Sequence, residues 1–288
     1  MRDGTTIIPN GVNLHVEVHG PEDGYPLVLI HGWPDSVRCW DRVVPLLADR
    51  YRVIAYDQRG FGRSGMPDDV AEYRISRSVG DLAGVLTWAG AERATVVGHD
   101  FGGAVAWSAA AALGDRLDAV VVVASPHPGR MREVVGTDIR QLRNGFYSWL
   151  MQTEDGLDLL VRDEARLIAR FAFAGALSDD EVKAYRAEWF DPPERIRRMA
   201  NWYRASYSPA VMNPDTPIDP PRCPIPARYV HGGKDWAFVP DLATGSGAWV
   251  DGPYDEVLLP EAPHWMPQVV PDEVAGLVAE WAEAHRRR

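Results

Sequence analysis

The stretch VVGHDFGG, residues 97–104, constrains this chain more than any other part of it. It reads as an apolar strand running into a glycine turn of the form G-x-D-x-G. A helix of small residues follows, FGGAVAWSAAAAL (101–113). A side chain presented on such a strand-to-helix turn sits on strained backbone, and its neighbours must be small. Gly98, Gly102 and Gly103 meet that demand. The turn usually presents a serine, but here its centre is Asp100. Aspartate before a helix also reads as a plain helix cap, so the choice between cap and reactive group rests on what else the chain carries.

The turn sits inside a regular alternation of strands and helices, the pattern of an α/β fold. TTIIP and LHVEVHG flank Asn10-Gly11 and predict a hairpin. Strands are then expected at 26–32, 51–57, 94–100 and 119–125, mostly as continuous apolar runs suited to burial on both faces. Helices are expected over DRVVPLLAD (41–49) and SRSVGDLAGVLTWAG (76–90). Near residue 128 the rhythm gives way to helices rich in arginine and large aromatics. A connector with seven prolines in 209–226 follows, where proline fixes φ and removes amide donors. Strands resume at 227–235 and 255–265, and DEVAGLVAEWAEAH closes the chain as a helix. The expectation is one α/β core, residues 1–127 and 216–288, with a mostly parallel sheet flanked by helices. A helical cap with its proline-rich return, 128–215, interrupts it.

A net charge of -11 argues against nucleic acid as a partner. No apolar run reaches the ~18 residues of a membrane helix, and the N-terminus lacks a signal-peptide layout. Cys39 and Cys223 read as two free thiols, which points to a cytoplasmic protein with no membrane partner. Oligomeric state is not legible. No metal or organic cofactor is expected. GFGRSG (60–65), with Asp81 downstream, fits a dinucleotide fingerprint by spacing, but MPDD follows where that motif must open a helix.

In this topology an acid and then a histidine follow the reactive group along the chain. His264, in EAPHW after a late strand, suits the base, whereas His285 lies beside the terminal arginines and reads as a surface residue. Asp235, in YVHGGKDW, is an acid at the end of an earlier strand. The amides of Phe101 and of Trp33, in HGWPDS, are placed to hold an oxyanion. An aspartate attacking a carbonyl would give an anhydride, whereas attack on saturated carbon gives an alkyl ester that water can cleave. The electrophile is therefore an epoxide or a carbon–halogen bond.

HGWPDS, DQRGFGRS, GHDFGG, SPHP, HGGKD and PHW, in this order over nearly all 288 residues, resemble the α/β-hydrolase superfamily and within it the epoxide hydrolases. The resemblance implies conversion of a small apolar epoxide and water to a vicinal diol, through an ester on Asp100 hydrolysed by His264 and Asp235. It also implies two cap tyrosines that donate to the epoxide oxygen: Tyr203, in NWYR, and Tyr147, in NGFYSWL. Trp33, Phe101, His127 and Trp265 are the expected pocket walls. Two alternatives use the same fold. One is a haloalkane dehalogenase, although Trp33 and Phe101 complete neither familiar halide arrangement. The other is a small-molecule receptor without turnover.

Overall fold

The computed structural model of the chain describes residues 4–173, 175–213, 216 and 218–287. Eight strands form one sheet: β1 (Thr5–Ile7), β2 (Leu14–His19), β3 (Tyr25–Ile30), β4 (Tyr51–Tyr56), β5 (Ala94–His99), β6 (Leu117–Val123), β7 (Ala227–Lys234) and β8 (Tyr254–Pro263). Their order is β1-β2-β4-β3-β5-β6-β7-β8. The hairpin β1–β2 and the β2–β4 pair are antiparallel, and every pairing from β4 to β8 is parallel. The α/β expectation is thus met. Strands β5 and β6, ATVVGH and LDAVVVV, are buried at every position, because helices cover both faces.

Helices α1 (Val44–Leu47), α2 (Ile75–Trp88) and α3 (Phe101–Ala112) fall between the early strands. The helix expected over 41–49 is only one turn long. A 3₁₀ turn at Val37–Trp40 takes its place upstream, and Pro45, which lacks an amide donor, stands at the start of α1. Between β6 and β7 come α4 (Pro128–Val135), α5 (Ile139–Asn144), α6 (Phe146–Leu150), α7 (Glu154–Ala172), α8 (Asp179–Trp189), α9 (Arg195–Met199), α10 (Asn201–Ser206) and α11 (Pro209–Met212). Helix α7 is broken at Arg162–Ala165, where Asp163, Glu164 and Ala165 have positive φ. The proline-rich connector begins as the single turn α11 rather than as extended chain. Helices α12 (Pro240–Ala243), α13 (Met266–Val269) and α14 (Pro271–His285) complete the chain. Of the helices among the described residues, none is long and apolar enough to cross a membrane.

The chain runs from β3 outward to β4, then crosses back over β3 to β5. The strand order therefore reverses between β3 and β5, and ligands of open α/β sheets bind at such a crevice, beyond the carboxyl ends of the strands. The loops that leave β3 and β5 carry Trp33 and Asp100. The dinucleotide-like loop has a structural explanation. Asp81 is held by the buried Arg59 guanidinium in two hydrogen bonds of 2.7 and 2.8 Å, and no α-helix starts within 60–65. Both cysteines are free and buried.

Candidate active site

Asp100 has φ 52° and ψ −119°, a conformation that L residues other than glycine rarely adopt. The sequence enforces it by close approach. A Cβ on Gly98 would lie 2.2 Å from the Gly102 carbonyl oxygen, and one on Gly102 would lie 2.1 Å from that of Ile30. The tight passage from β5 into α3 thus lifts the Asp100 carboxylate to the end of the sheet. It caps no amide there with its side chain, so the helix-cap reading fails.

The carboxylate meets groups from two other loops, and a third stands behind the second. The Trp33 amide donates to Asp100 Oδ1 at 2.8 Å. His264 Nε2 lies 3.5 Å from Asp100 Oδ2. On the far side of the imidazole, Nδ1 is 3.0 and 3.1 Å from the two oxygens of Asp235. Asp235 is itself fixed, since its Oδ1 accepts from the amides of Ala237 (2.7 Å) and Phe238 (3.0 Å). The structure therefore brings together Asp100, Asp235 and His264, all buried. Phe101 adjoins the carboxylate and lines the same chamber, with its ring edge-on to Tyr203 and Tyr207.

The electrostatics differ from a neutral histidine awaiting a proton. Burial alone would drive the charge off His264. The charge of Asp235, the hydrogen bonds to Asp100 and Asp235, and the charge of Asp100 outweigh it and lift the imidazole from 6.5 to about 10. Burial likewise pushes the Asp100 carboxyl up, but the hydrogen bond and charge of His264 hold it below its usual range. The site is an imidazolium between two carboxylates. A group whose folded pKa is raised stabilises fully below its unfolded value and loses that contribution as pH rises through the folded one. The thermal midpoint should fall between about pH 6.5 and 10, and His264→Gln should flatten that part of the curve. Coincident slopes in melting curves of the two proteins would contradict the charge assignment.

A narrow chamber with a cavity volume of about 40 Å³, partly open to solvent, lies over Asp100. Phe101, Tyr147, Tyr203, Tyr207, Met131 and Phe238 are among its walls. The Tyr203 hydroxyl donates to that of Tyr147 at 3.1 Å. Burial, with the nearby Asp100 charge, raises Tyr147 and Tyr207 above the ordinary phenol value, and burial with the neighbouring Tyr147 raises Tyr203. All three stay protonated. Tyr207 was not expected; it stands four residues after Tyr203, where one turn of helix returns to the same face.

Two expected pocket walls lie elsewhere. His127 caps α4 through Gly129, and its ring is stacked on Trp249 and edge-on to Trp107. Trp265 donates its indole N–H to the Ala172 carbonyl and packs on Phe173 and His99. Neither lines the chamber, because the His127 ring sits against Trp107 and Trp249 and the Trp265 indole is turned to Ala172. Trp33 contributes its amide to Asp100, whereas its ring lies beyond Tyr147 in an adjacent apolar cavity. Its indole N–H is taken by the Met199 carbonyl at 3.2 Å.

A sequence model of the family described as alpha/beta hydrolase fold matches residues 25–267. An AB hydrolase superfamily protein of Bacillus subtilis is 30% identical over 278 residues, which cover 94% of this chain and 95% of that one. Epoxide hydrolase A of Mycobacterium tuberculosis is also 30% identical, over 94% of each chain. Among solved structures, Epoxide Hydrolase A of Mycobacterium thermoresistibile superposes with a TM-score of 0.84 at 26% identity, over 100% of both chains.

Proposed function

Since the chain belongs to the α/β-hydrolase superfamily, on its epoxide hydrolase branch, we propose that it converts epoxides to vicinal diols through an ester formed on Asp100. One observation carries the reading. An aspartate, rather than a serine, occupies the strained turn, in a chamber that also holds two hydrogen-bonded phenols. The names of its relatives support the same chemistry. In this reading residues 128–215 form a cap that carries the phenols over a core of residues 1–127 and 216–288.

Asp100 Oδ2, the oxygen not held by the Trp33 amide, attacks an oxirane carbon as the ring C–O bond breaks. The departing alkoxide takes a proton from the paired Tyr147 and Tyr203 hydroxyls. Esterification removes the Asp100 charge, and that loss acts in two places. It makes the phenols more acidic as the alkoxide needs its proton, and it weakens the field that keeps His264 protonated. His264 can then give up its proton to make good the one lost by the phenols, which restores the tyrosine, and become the base. Its Nε2 takes a proton from water, and the hydroxide attacks the ester carbonyl carbon. The oxyanion forms on Oδ1, where the Trp33 amide already donates and the Phe101 amide is close by in sequence. Collapse expels the diol oxygen, which takes the proton from His264, and the acid left on Asp100 returns the second water proton to His264, restoring the carboxylate and the imidazolium. Asp235 keeps the imidazole oriented throughout.

Halide release finds less support, because the Trp33 indole is spent on Met199. An alkoxide is a far worse leaving group than bromide, so ring opening should depend steeply on the phenols. A donor aimed at developing charge is worth roughly 2.7–4 kcal/mol. Tyr203→Phe or Tyr147→Phe should therefore slow alkylation on the order of 10²–10³-fold while the ring packing persists. The pair should be slower still, though not additively. Stopped-flow alkylation rates and diol yields over a panel of aryl, aliphatic and terpenoid epoxides give the test, with halide release from alkyl bromides as the control. Bromide release faster than diol formation, or full epoxide turnover by both variants, would contradict the epoxide reading.

A further inference from the structure

Ile139, Leu142, Phe146, Leu159, Leu167 and Phe171 are all large, apolar and exposed, and all lie on the consecutive helices α5, α6 and α7. Three of them, Phe146 (59% exposed), Leu167 (50%) and Phe171 (43%), form the rim of one cleft with a cavity volume of about 220 Å³. Its floor is apolar as well, with the buried Trp33, Leu160 and Ile168 among the walls. Ile139, 74% exposed, stands one helical turn before Arg143, which also lines the cleft. Single apolar side chains on a surface are ordinary, but a contiguous patch marks a face that something covers.

The charges around the cleft say what covers it. Beyond its break, α7 sets Leu167 and Phe171 in one row and Arg166 and Arg170 in the row beside it, because residues four apart share a face. Arg143, Arg166 and Arg170 are exposed and make no ion pair among the described residues. Elsewhere on the cap the arginines are neutralised: Arg186 by Glu164, Arg197 by Asp158 and Arg204 by Glu154. Those pairs also occupy three acids of α7, so the apolar patch carries unpaired positive charge in a chain whose net charge is -11. Arginine beside exposed Phe and Leu suits an anionic lipid surface, where the apolar groups enter the headgroup boundary and the guanidinium groups meet phosphates. A second copy of the chain suits it less, since two-fold pairing of this patch sets arginines against arginines.

We infer that the face of the cap around this cleft docks on the surface of an anionic bilayer. Docking turns the cleft toward the hydrocarbon. Tyr147 lines both the cleft and the Asp100 chamber, so an apolar molecule dissolved in the bilayer stands one ring away from the reacting groups. The expectation of no membrane partner rested on apolar runs along the chain, and a patch assembled from three helices leaves no run to read. The docking does not depend on the epoxide reading.

Sedimentation of the full chain with vesicles tests it, using phosphatidylcholine alone and an equal mixture of phosphatidylcholine and phosphatidylglycerol. Partitioning onto the mixed vesicles should exceed that onto phosphatidylcholine by about tenfold or more and weaken as salt is raised. Arg166→Gln with Arg170→Gln should lower it about tenfold. Phe146→Ser with Leu167→Ser should lower it by a similar factor, through lost apolar burial. All four positions are exposed, so the fold should survive, and circular dichroism checks that it does. Equal partitioning onto both vesicle types, or partitioning unchanged in both double variants, overturns the proposal. So does a dimer that forms without vesicle binding and is dissolved by Phe146→Ser with Leu167→Ser, which would give the patch to a second copy. Diol formation from a short, water-soluble epoxide is read alongside, and Arg166→Gln with Arg170→Gln should retain it. Vesicle binding as expected, with no diol from the wild type, would sink the epoxide reading and leave the docking intact.

Discussion

Asp100→Ala is expected to reduce diol formation on the order of 10⁶-fold, by analogy with removal of a serine nucleophile, and to leave the chain folded. The magnitude follows from the proposal that the first bond to substrate forms at this carboxylate. The other groups near it only orient, donate or hold a proton, and none offers a second route to the ester. The fold should survive because Asp100 contributes little to packing. Its side chain gives up the hydrogen bond from the Trp33 amide, at a cost of about 1–3 kcal/mol. The strain at φ 52° is set by Gly98 and Gly102 and is shared by alanine. His264 keeps Asp235. Diol assays paired with circular dichroism check both halves. A folded variant that retains more than a few per cent of turnover would remove Asp100 from the chemistry.

His264→Gln should separate the two halves of the reaction. Alkylation needs Asp100 and the phenols, which this substitution leaves in place. Hydrolysis of the ester needs a base, and glutamine supplies none. Asp235 cannot take over directly: its Oδ1 accepts from the Ala237 and Phe238 amides, and the side chain of residue 264 stands between it and Asp100. The ester should therefore accumulate, and peptide mass spectrometry should find the peptide with Asp100 heavier by one substrate. Turnover should stop after roughly one equivalent, with hydrolysis slowed on the order of 10²–10⁴-fold, the usual worth of a positioned base. Continued consumption of substrate with an unmodified peptide would mean that His264 has another role.

The strands were legible because double-sided burial writes itself as uninterrupted apolar runs, as in AVVVV at the heart of β6. The crevice was legible for a related reason: G-x-D-x-G encodes a backbone conformation, and its glycines are excluded from being anything larger by contacts of 2.1–2.2 Å. That the loops of Asp235 and His264 converge on Asp100 followed from chain order. What stayed hidden depends on side-chain destinations. Nothing local distinguishes the aromatic wall Tyr207 from Trp265, whose indole is drawn off to the Ala172 carbonyl, or His127 from a pocket residue until Trp249 is seen stacked on it. The break in α7 is equally silent, since GLDLLVRDEARLIARF reads as continuous helix; part of its backbone is held from a distance by Arg186 on the carbonyls of Asp163 and Glu164. The charge on His264 is written in no local motif, because it is a property of two carboxylates acting together.

The central claim is that the oxygen added to substrate comes first from Asp100, and a single turnover in water enriched in heavy oxygen tests it most directly. With enzyme in excess over epoxide, the account predicts that the diol emerges unlabelled and that the label appears in the peptide containing Asp100. A second turnover by that same enzyme, in ordinary water, should then deliver the label to product. A labelled diol in the first turnover, with Asp100 unlabelled, would show that water attacks the epoxide directly and would contradict the ester mechanism.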